Sequence, residues 1–134
     1  MNALFIGYGN ELREDDGFGV FVARSLKTRG VCVQTQQLTP ELAQMIARFD
    51  RVIFIDANAA TDAGVFAVPL PSADSVLAHS LTPWSLMNMS RELYGTTAEY
   101  LIFSVGGGSF GYGEKLTPPL KKAALELIAY LETI

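Results

Sequence analysis

Short apolar runs alternate with amphipathic stretches along most of the chain. The short runs are rich in β-branched or aromatic residues and therefore predict strands, at residues 2–6, 31–36, 52–55 and 100–105, with residues 64–69 as a weaker candidate. The runs at 2–6, 52–55 and 100–105 are apolar at successive positions, which is typical of a parallel strand covered on both faces. The pattern therefore indicates a sheet that is buried between other elements.

Helical patterns fill the stretches between these strands. Residues 17–28 have apolar positions at helical spacing, and Gly30 supplies a stop signal. Three further stretches begin with a Thr-Pro pair, in which the threonine suits the N-cap and the proline the first helical position, at Thr39, Thr82 and Thr117. Since strands and helices alternate, we expect one domain over residues 1–134, an α/β three-layer sandwich whose mostly parallel sheet of about five strands is flanked by helices.

The composition is that of a folded, acidic protein. Hydrophobic residues make up 49% of the 134 residues and charged residues 18%, which argues against disorder. The formal charge is −4 and no basic run occurs, so nucleic acid and anionic membranes are poor partners. Cys32 is the only cysteine, which excludes an internal disulfide. This, together with the lack of a signal-peptide pattern, predicts a soluble cytoplasmic protein.

Polar residues that can hold a cation stand where predicted strands end. In parallel sheets functional groups gather at the carboxyl ends of the strands. Asp15 and Asp16 follow the first strand, Asp56 ends the third, and His79, the only histidine, comes shortly before the helix start at Thr82. Two carboxylates and one imidazole suit a zinc or nickel ion that keeps open positions for substrate or water.

Each of these residues also has an ordinary structural interpretation. Asp56 could be a turn or cap residue, and Asp15 and Asp16 could simply place negative charge in the first turn of a helix. His79 could be a loop histidine without a ligand. The coincidence of the three positions favours the metal interpretation.

Two glycine motifs suggest other functions. Gly7-Tyr8-Gly9 starts like a dinucleotide fingerprint, but Leu12 stands where the third glycine belongs and acids follow, which disfavours a nucleotide-binding module. The stretch GGSFG at 107–111 matches a serine-hydrolase elbow with Ser109 as nucleophile. That elbow needs a helix directly after the serine, whereas the next predicted helix starts only near residue 117. A glycine loop that closes the site is therefore favoured.

The stretch FIGYGNELREDDGFGV, followed by QQLTPELA, VIFIDA, HSLTPWSLM and GGGSFGYGEKLTPPL, resembles the hydrogenase maturation endopeptidases in order and over nearly the whole chain. The resemblance implies a twisted sheet flanked by helices and removal of a short C-terminal tail from the large-subunit precursor of a nickel–iron hydrogenase, after nickel insertion. It also implies that nickel, presented by that precursor, is recognised through Asp16, Asp56 and His79. Some members have glutamate at the position of Asp16, so the reach of this carboxylate differs by one methylene.

Alternatives remain open at this stage. The cation could polarise the scissile carbonyl or a water, with a carboxylate of the cluster as general base, or it could only dock the substrate. A non-enzymatic metal-sensing chaperone of the precursor would use the same three ligands. The sequence leaves open which hydrogenase is served, which bond is cut and which oligomer forms.

Overall fold

The computed structural model describes residues 2–63, 66–67, 81–106, 113 and 116–134. The described strands are Ala3–Tyr8 (β1), Val31–Thr35 (β2), Arg51–Ala63 (β3), Phe66–Ala67 (β4) and Glu99–Gly106 (β5). They form one five-stranded sheet in the order β2-β1-β3-β5-β4. The strands β2, β1, β3 and β5 are parallel, and β4 pairs antiparallel with β5 at the edge. The predicted α/β fold with a mostly parallel sheet is confirmed.

Helices cover both faces of this sheet. The described helices are Phe18–Ser25 (α1), Glu41–Ile46 (α2), Pro83–Tyr94 (α3) and Pro118–Leu131 (α4), and a 3₁₀ turn at Glu14–Gly17 precedes α1. One apolar core joins the sheet to α2 and α3, and a second joins the opposite face to α1 and α4. The three-layer arrangement is therefore as predicted. Among the described residues, none of the helices combines the length and apolar character needed to cross a membrane.

The two cores explain why apolar residues follow one another along β3. Val52 and Phe54 point toward α2 and α3, whereas Ile53 and Ile55 point toward α1 and α4. All four side chains are fully buried. Burying such a side chain stabilises the fold by roughly 1.5–3 kcal/mol each, so this strand anchors both layers.

Strands β1, β3 and β5 are longer than predicted, and the extensions of β1 and β3 bear on the site. β1 continues through Gly7, which pairs with Ile55, and ends at Tyr8. β3 continues past Asp56 to Ala63, with a register shift after residue 58. The prediction that the third strand ends at Asp56 is therefore wrong, because backbone pairing with β5 continues although the side chains turn polar.

The three predicted Thr-Pro helix starts differ in detail. Thr82 caps α3 as predicted, because its side chain accepts a hydrogen bond from the Ser85 N–H at 3.1 Å. Thr117 is the N-cap residue of α4, but its hydroxyl donates to the Asp15 carboxylate and does not cap the helix. The prediction for Thr39 is wrong by one position, since Pro40 occupies the N-cap of α2. The cause is a tight turn in which the Thr39 carbonyl accepts from the Leu42 N–H.

The strand order reverses between β1 and β3. From β1 the chain continues to β2 on one side, whereas β3 lies on the other side of β1. Such a switch point opens a crevice at the carboxyl edge of a parallel sheet. α3 ends at Tyr94, five residues before β5 begins at Glu99, which pairs with Arg51 at the amino edge. A helix of 12 residues is about 18 Å long, so α3 begins toward the carboxyl edge.

Candidate functional site

The glycine turn after β1 brings the acidic segment against the end of the sheet. The Gly9 N–H donates to the Thr35 carbonyl of β2 at 3.1 Å. Gly9 has φ +142°, and a Cβ at this position would lie 2.0 Å from the Asp16 carbonyl oxygen. Only glycine combines this backbone conformation with so close an approach. The turn thereby places Asp16 beside the end of β1.

Asp16 is held by the backbone of the same turn. Its Oδ2 accepts a hydrogen bond from the Asn10 N–H at 2.8 Å, and the Asp16 N–H donates to the Arg13 carbonyl at 3.1 Å. Asn10 also braces the turn as expected, because its Oδ1 accepts from the Leu12 N–H at 3.0 Å. The half-buried Asp16 carboxylate is therefore fixed through one oxygen.

Asp15, the neighbour of Asp16, is directed elsewhere. Its side chain is fully buried and accepts two hydrogen bonds from Thr117, one from the N–H at 2.7 Å and one from the hydroxyl at 2.8 Å. These bonds join the 3₁₀ turn to the start of α4. Of the two adjacent acids, Asp15 has a structural role and Asp16 is the one beside the crevice.

Asp56 lies on β3 next to the end of β1. The Tyr8 hydroxyl donates to Asp56 Oδ2 at 2.7 Å. Asp56 pairs across the sheet with Ser104 of β5. Asp56 Oδ1 and Ser104 Oγ are both buried, and neither makes a hydrogen bond within the described part of the chain. A buried carboxylate oxygen without a donor is unfavourable, which indicates a position where a positive charge or a donor would be stabilised.

Burial has the largest effect on the pKa of Asp56 and raises it. The hydroxyls of Tyr8 and Ser104 lower this pKa by less than burial raises it, and the negative charge of Asp16, the smallest of the four effects, raises it again. Burial and the charge of Asp56 also raise the pKa of Tyr8, so its hydroxyl remains a donor. Two carboxylates that repel one another in a poorly solvated place favour binding of a cation.

The third predicted ligand, His79, lies outside the described residues, as does Ser109. His79 precedes Thr82 by three positions, and α3 begins at Pro83 toward the carboxyl edge. Within the described ranges no group of three potential ligand residues is assembled. Asp16 and Asp56 are brought together, and the position of His79 stays a prediction.

The sequence did not predict a role for Tyr8 or Ser104. Both stand directly beside Asp56, one at the end of β1 and the other at the paired position of β5. The strand register could have identified them, because the Gly7–Ile55 pair places Tyr8 next to Asp56. In the sequence Tyr8 stands between two glycines, a pattern that indicates a turn and not a continuing strand.

A groove of about 750 Å³ adjoins the glycine turn. It runs from Gly9 and Asn10 along the end of β2, where Gln34 lines it. Glu11 and Arg24, which form an ion pair and are each half exposed, line it as well. This polar groove adjoins the turn at Asn10, whose N–H holds Asp16, whereas neither Asp16 nor Asp56 lines it.

Solved structures with the same fold include hydrogenase maturation proteases. The [NiFe] hydrogenase maturation protease HycI from Thermococcus kodakarensis KOD1 is 24% identical, with a TM-score of 0.82, over 98% of this chain and 90% of that chain. The hydrogenase maturating endopeptidase HybD from E. coli is 20% identical, with a TM-score of 0.71, over 99% and 93%. The hydrogenase 3 maturation protease is 19% identical, with a TM-score of 0.79, over 99% and 90%. The likeness agrees with the resemblance of the sequence motifs.

No family model matches the chain, and no curated protein matches it significantly. At these sequence identities the structural likeness establishes the shared fold, whereas an activity has to be argued from the side chains of the site.

Proposed function

We propose that this protein is a hydrogenase maturation endopeptidase, which removes the C-terminal tail of a nickel–iron hydrogenase large-subunit precursor after nickel insertion. The observation that carries the proposal is the pair Asp16 and Asp56, which interact at the switch point between β1 and β3. The sequence motifs and the fold shared with maturation proteases support it. The single cysteine supports a cytoplasmic location.

The two carboxylates fit a nickel ion that arrives with the substrate. Burial and the charge of Asp16 disfavour the ionised form of Asp56, and a divalent cation would reverse both effects. Asp56 Oδ1 is without a hydrogen bond among the described residues and supplies an oxygen ligand. His79 completes the set as a nitrogen ligand, which together with carboxylates suits nickel. Three protein ligands leave positions for the groups by which the precursor holds its metal.

This arrangement supports a hydrolysis in which recognition of the metal aligns the tail. A carboxylate of the pair accepts a proton from the attacking water, whose oxygen bonds to the scissile carbonyl carbon. The carbon–nitrogen bond then breaks and the amine of the released tail takes up a proton. The substrate's nickel, when bound here, provides the positive charge that orients the reacting carbonyl or water. Because the site is assembled only with the metal, precursor without nickel is left uncut.

The groove beside Asn10 provides room for the chain that leads to the scissile bond. Its lining contains amide, carboxylate and guanidinium groups of Gln34, Glu11 and Arg24. Such groups hydrogen-bond to the backbone of an extended peptide. The groove therefore fits a polypeptide substrate better than a small apolar ligand.

Incubation with the precursor tests this function. Nickel-loaded large-subunit precursor, mixed with the purified protein, should lose a C-terminal fragment that mass spectrometry identifies. Nickel-free precursor should keep its length in the same experiment. Binding of the nickel-loaded form without any shortening would replace the peptidase by a metal-sensing chaperone.

A further inference from the structure

We propose that Tyr8 is a positioning residue, which fixes the Asp56 carboxylate so that Oδ1 is the oxygen offered to the substrate's cation. The proposal rests on the proposed function for its biological meaning. The hydrogen bond and the burial from which it is argued involve described residues only. The Tyr8 hydroxyl donates to Asp56 Oδ2 at 2.7 Å, and Oδ1 is buried without a hydrogen bond in the described part of the chain.

The backbone brings the two residues together. Gly7 of β1 pairs with Ile55 of β3, so that the next residues on each strand, Tyr8 and Asp56, lie side by side. The Tyr8 ring packs against the core between the sheet and the α2–α3 layer. A packed aromatic ring has few torsions through which its hydroxyl could move. The donor therefore has a fixed place relative to β3.

A carboxylate that is held at one oxygen presents the other. Rotation of the Asp56 side chain would exchange Oδ1 and Oδ2, and the bond from Tyr8 opposes this exchange. Asp16 is arranged in the same way, since its Oδ2 accepts from the Asn10 N–H at 2.8 Å. Each member of the pair thus has one oxygen tied to a donor. Pre-orientation of this kind lowers the cost of binding, because little freedom is lost when the cation arrives.

The hydrogen-bond donors that hold Asp16 and Asp56 differ in kind. The backbone donor that holds Asp16 is present whatever the side chain of Asn10, whereas the donor on Asp56 is a side-chain hydroxyl. Tyr8→Phe removes this hydroxyl and keeps the ring in its core. Tyr100→Phe is the matched control, because Tyr100 packs against the same core and pairs with Val52 far from the carboxyl edge. The two variants lose the same atom from the same core.

The test uses the side-chain carboxyl carbons of the free protein in NMR spectra, with nickel chloride as the probe. In Tyr8→Phe the Asp56 line should shift much more than the Asp16 line, and Tyr100→Phe should leave both lines unchanged. Paramagnetic broadening of these lines by nickel should require at least about tenfold more nickel in Tyr8→Phe than in the wild type. In an Asp56→Asn background, adding Tyr8→Phe should have no further effect on nickel affinity, which a general loss of structure would not reproduce.

The proposal would be overturned if Tyr8→Phe left both the Asp56 carboxyl line and the nickel affinity unchanged. This holds whether or not the protein cleaves the precursor. A protein that shows these changes but never shortens nickel-loaded precursor would leave Tyr8 as a positioning residue and refute the peptidase.

A measurement on the wild type covers the case in which Tyr8→Phe does not fold. The phenolic carbon of Tyr8 should keep its hydrogen-bonded shift when zinc chloride saturates the site, and loss of that shift would contradict the proposal.

Discussion

The carboxylate of Asp15 accepts hydrogen bonds from both the N–H and the hydroxyl of Thr117, 102 residues further along the chain. Asp15 is fully buried, so the two bonds form away from water. They connect the turn that carries Asp16 to the N-cap residue of α4. The position of the candidate site therefore depends on a contact between the two ends of the chain.

We expect Asp15→Ala to lose stability and, with it, the placement of Asp16. Two charge-assisted hydrogen bonds would be removed and the N–H of Thr117 would be left buried without Asp15. The free energy of unfolding should fall by about 2–5 kcal/mol. Urea denaturation of the variant measures this loss.

Glu126→Ala on the exposed face of α4 is the control and should change stability by less than about 0.5 kcal/mol. A similar midpoint for both variants would show that the contact with Thr117 contributes little.

Glycine at position 9 should be irreplaceable, in contrast to glycine at position 95. Both residues have positive φ, but a Cβ at Gly9 would lie 2.0 Å from the Asp16 carbonyl oxygen, whereas one at Gly95 would meet nothing within 4 Å. Gly95→Ala should therefore cost about 1–2 kcal/mol through its left-handed backbone alone and keep precursor cleavage. Gly9→Ala should displace the acidic turn and lose cleavage. Comparing cleavage rates of the two folded variants at equal concentration checks this, and equal rates would contradict it.

The sheet and its layers could be predicted because they depend on local patterns. Successive apolar residues such as Ile53 and Phe54 indicate a strand covered on both faces, and Thr82 followed by proline indicates a helix start. The ends of the strands could not be predicted in this way. Gly7 belongs to β1 only because Ile55 offers a backbone partner, and Asp56 stays within β3 only because Ser104 continues the pairing.

The sequence predicted the carboxylates of the candidate site but not the residues that hold them in place. Asp16 and Asp56 can be identified in the sequence because they follow runs that predict strands, and functional groups gather at the carboxyl ends of parallel strands. Their donors are not visible, since Tyr8 lies 48 residues from Asp56 and its role follows from strand register. The distinction between Asp15 and Asp16 likewise depends on Thr117, a partner that no local pattern identifies.

Asp56 should destabilise the protein at neutral pH. Burial raises the pKa of its carboxyl above the unfolded value, so the folded state holds the proton more tightly than the unfolded chain. The stability that this provides is present below the unfolded pKa and is lost as the pH rises through the folded pKa. Asp56→Asn, which stays neutral, should therefore unfold at a higher temperature than the wild type near pH 7.

The advantage of Asp56→Asn should shrink as the pH is lowered, because the wild-type carboxyl is then protonated too. Thermal unfolding of both proteins between pH 4 and pH 8, a range that extends upward from the usual carboxyl pKa of about 4, measures the difference. Glu92→Gln on the exposed part of α3 is the control and should show no such trend. A variant less stable than the wild type across the whole range would mean that the ionised carboxyl is well compensated in the free protein.

The last prediction separates metal recognition from serine chemistry. Asp16→Asn, Asp56→Asn and His79→Ala should each abolish tail removal, whereas Ser109→Ala should leave it largely intact. The amide variants keep the shape of the side chains but remove the charge that holds a cation. His79→Ala removes the only imidazole of the chain. Ser109 stands in a glycine-rich stretch whose sequence does not predict the helix that follows a serine nucleophile directly. Loss of a true nucleophile lowers the rate by roughly 10⁴- to 10⁶-fold, so cleavage of nickel-loaded precursor discriminates clearly. A folded but inactive Ser109→Ala beside an active Asp16→Asn would reverse the assignment, because the reaction would then depend on a hydroxyl nucleophile and not on a carboxylate that binds the metal.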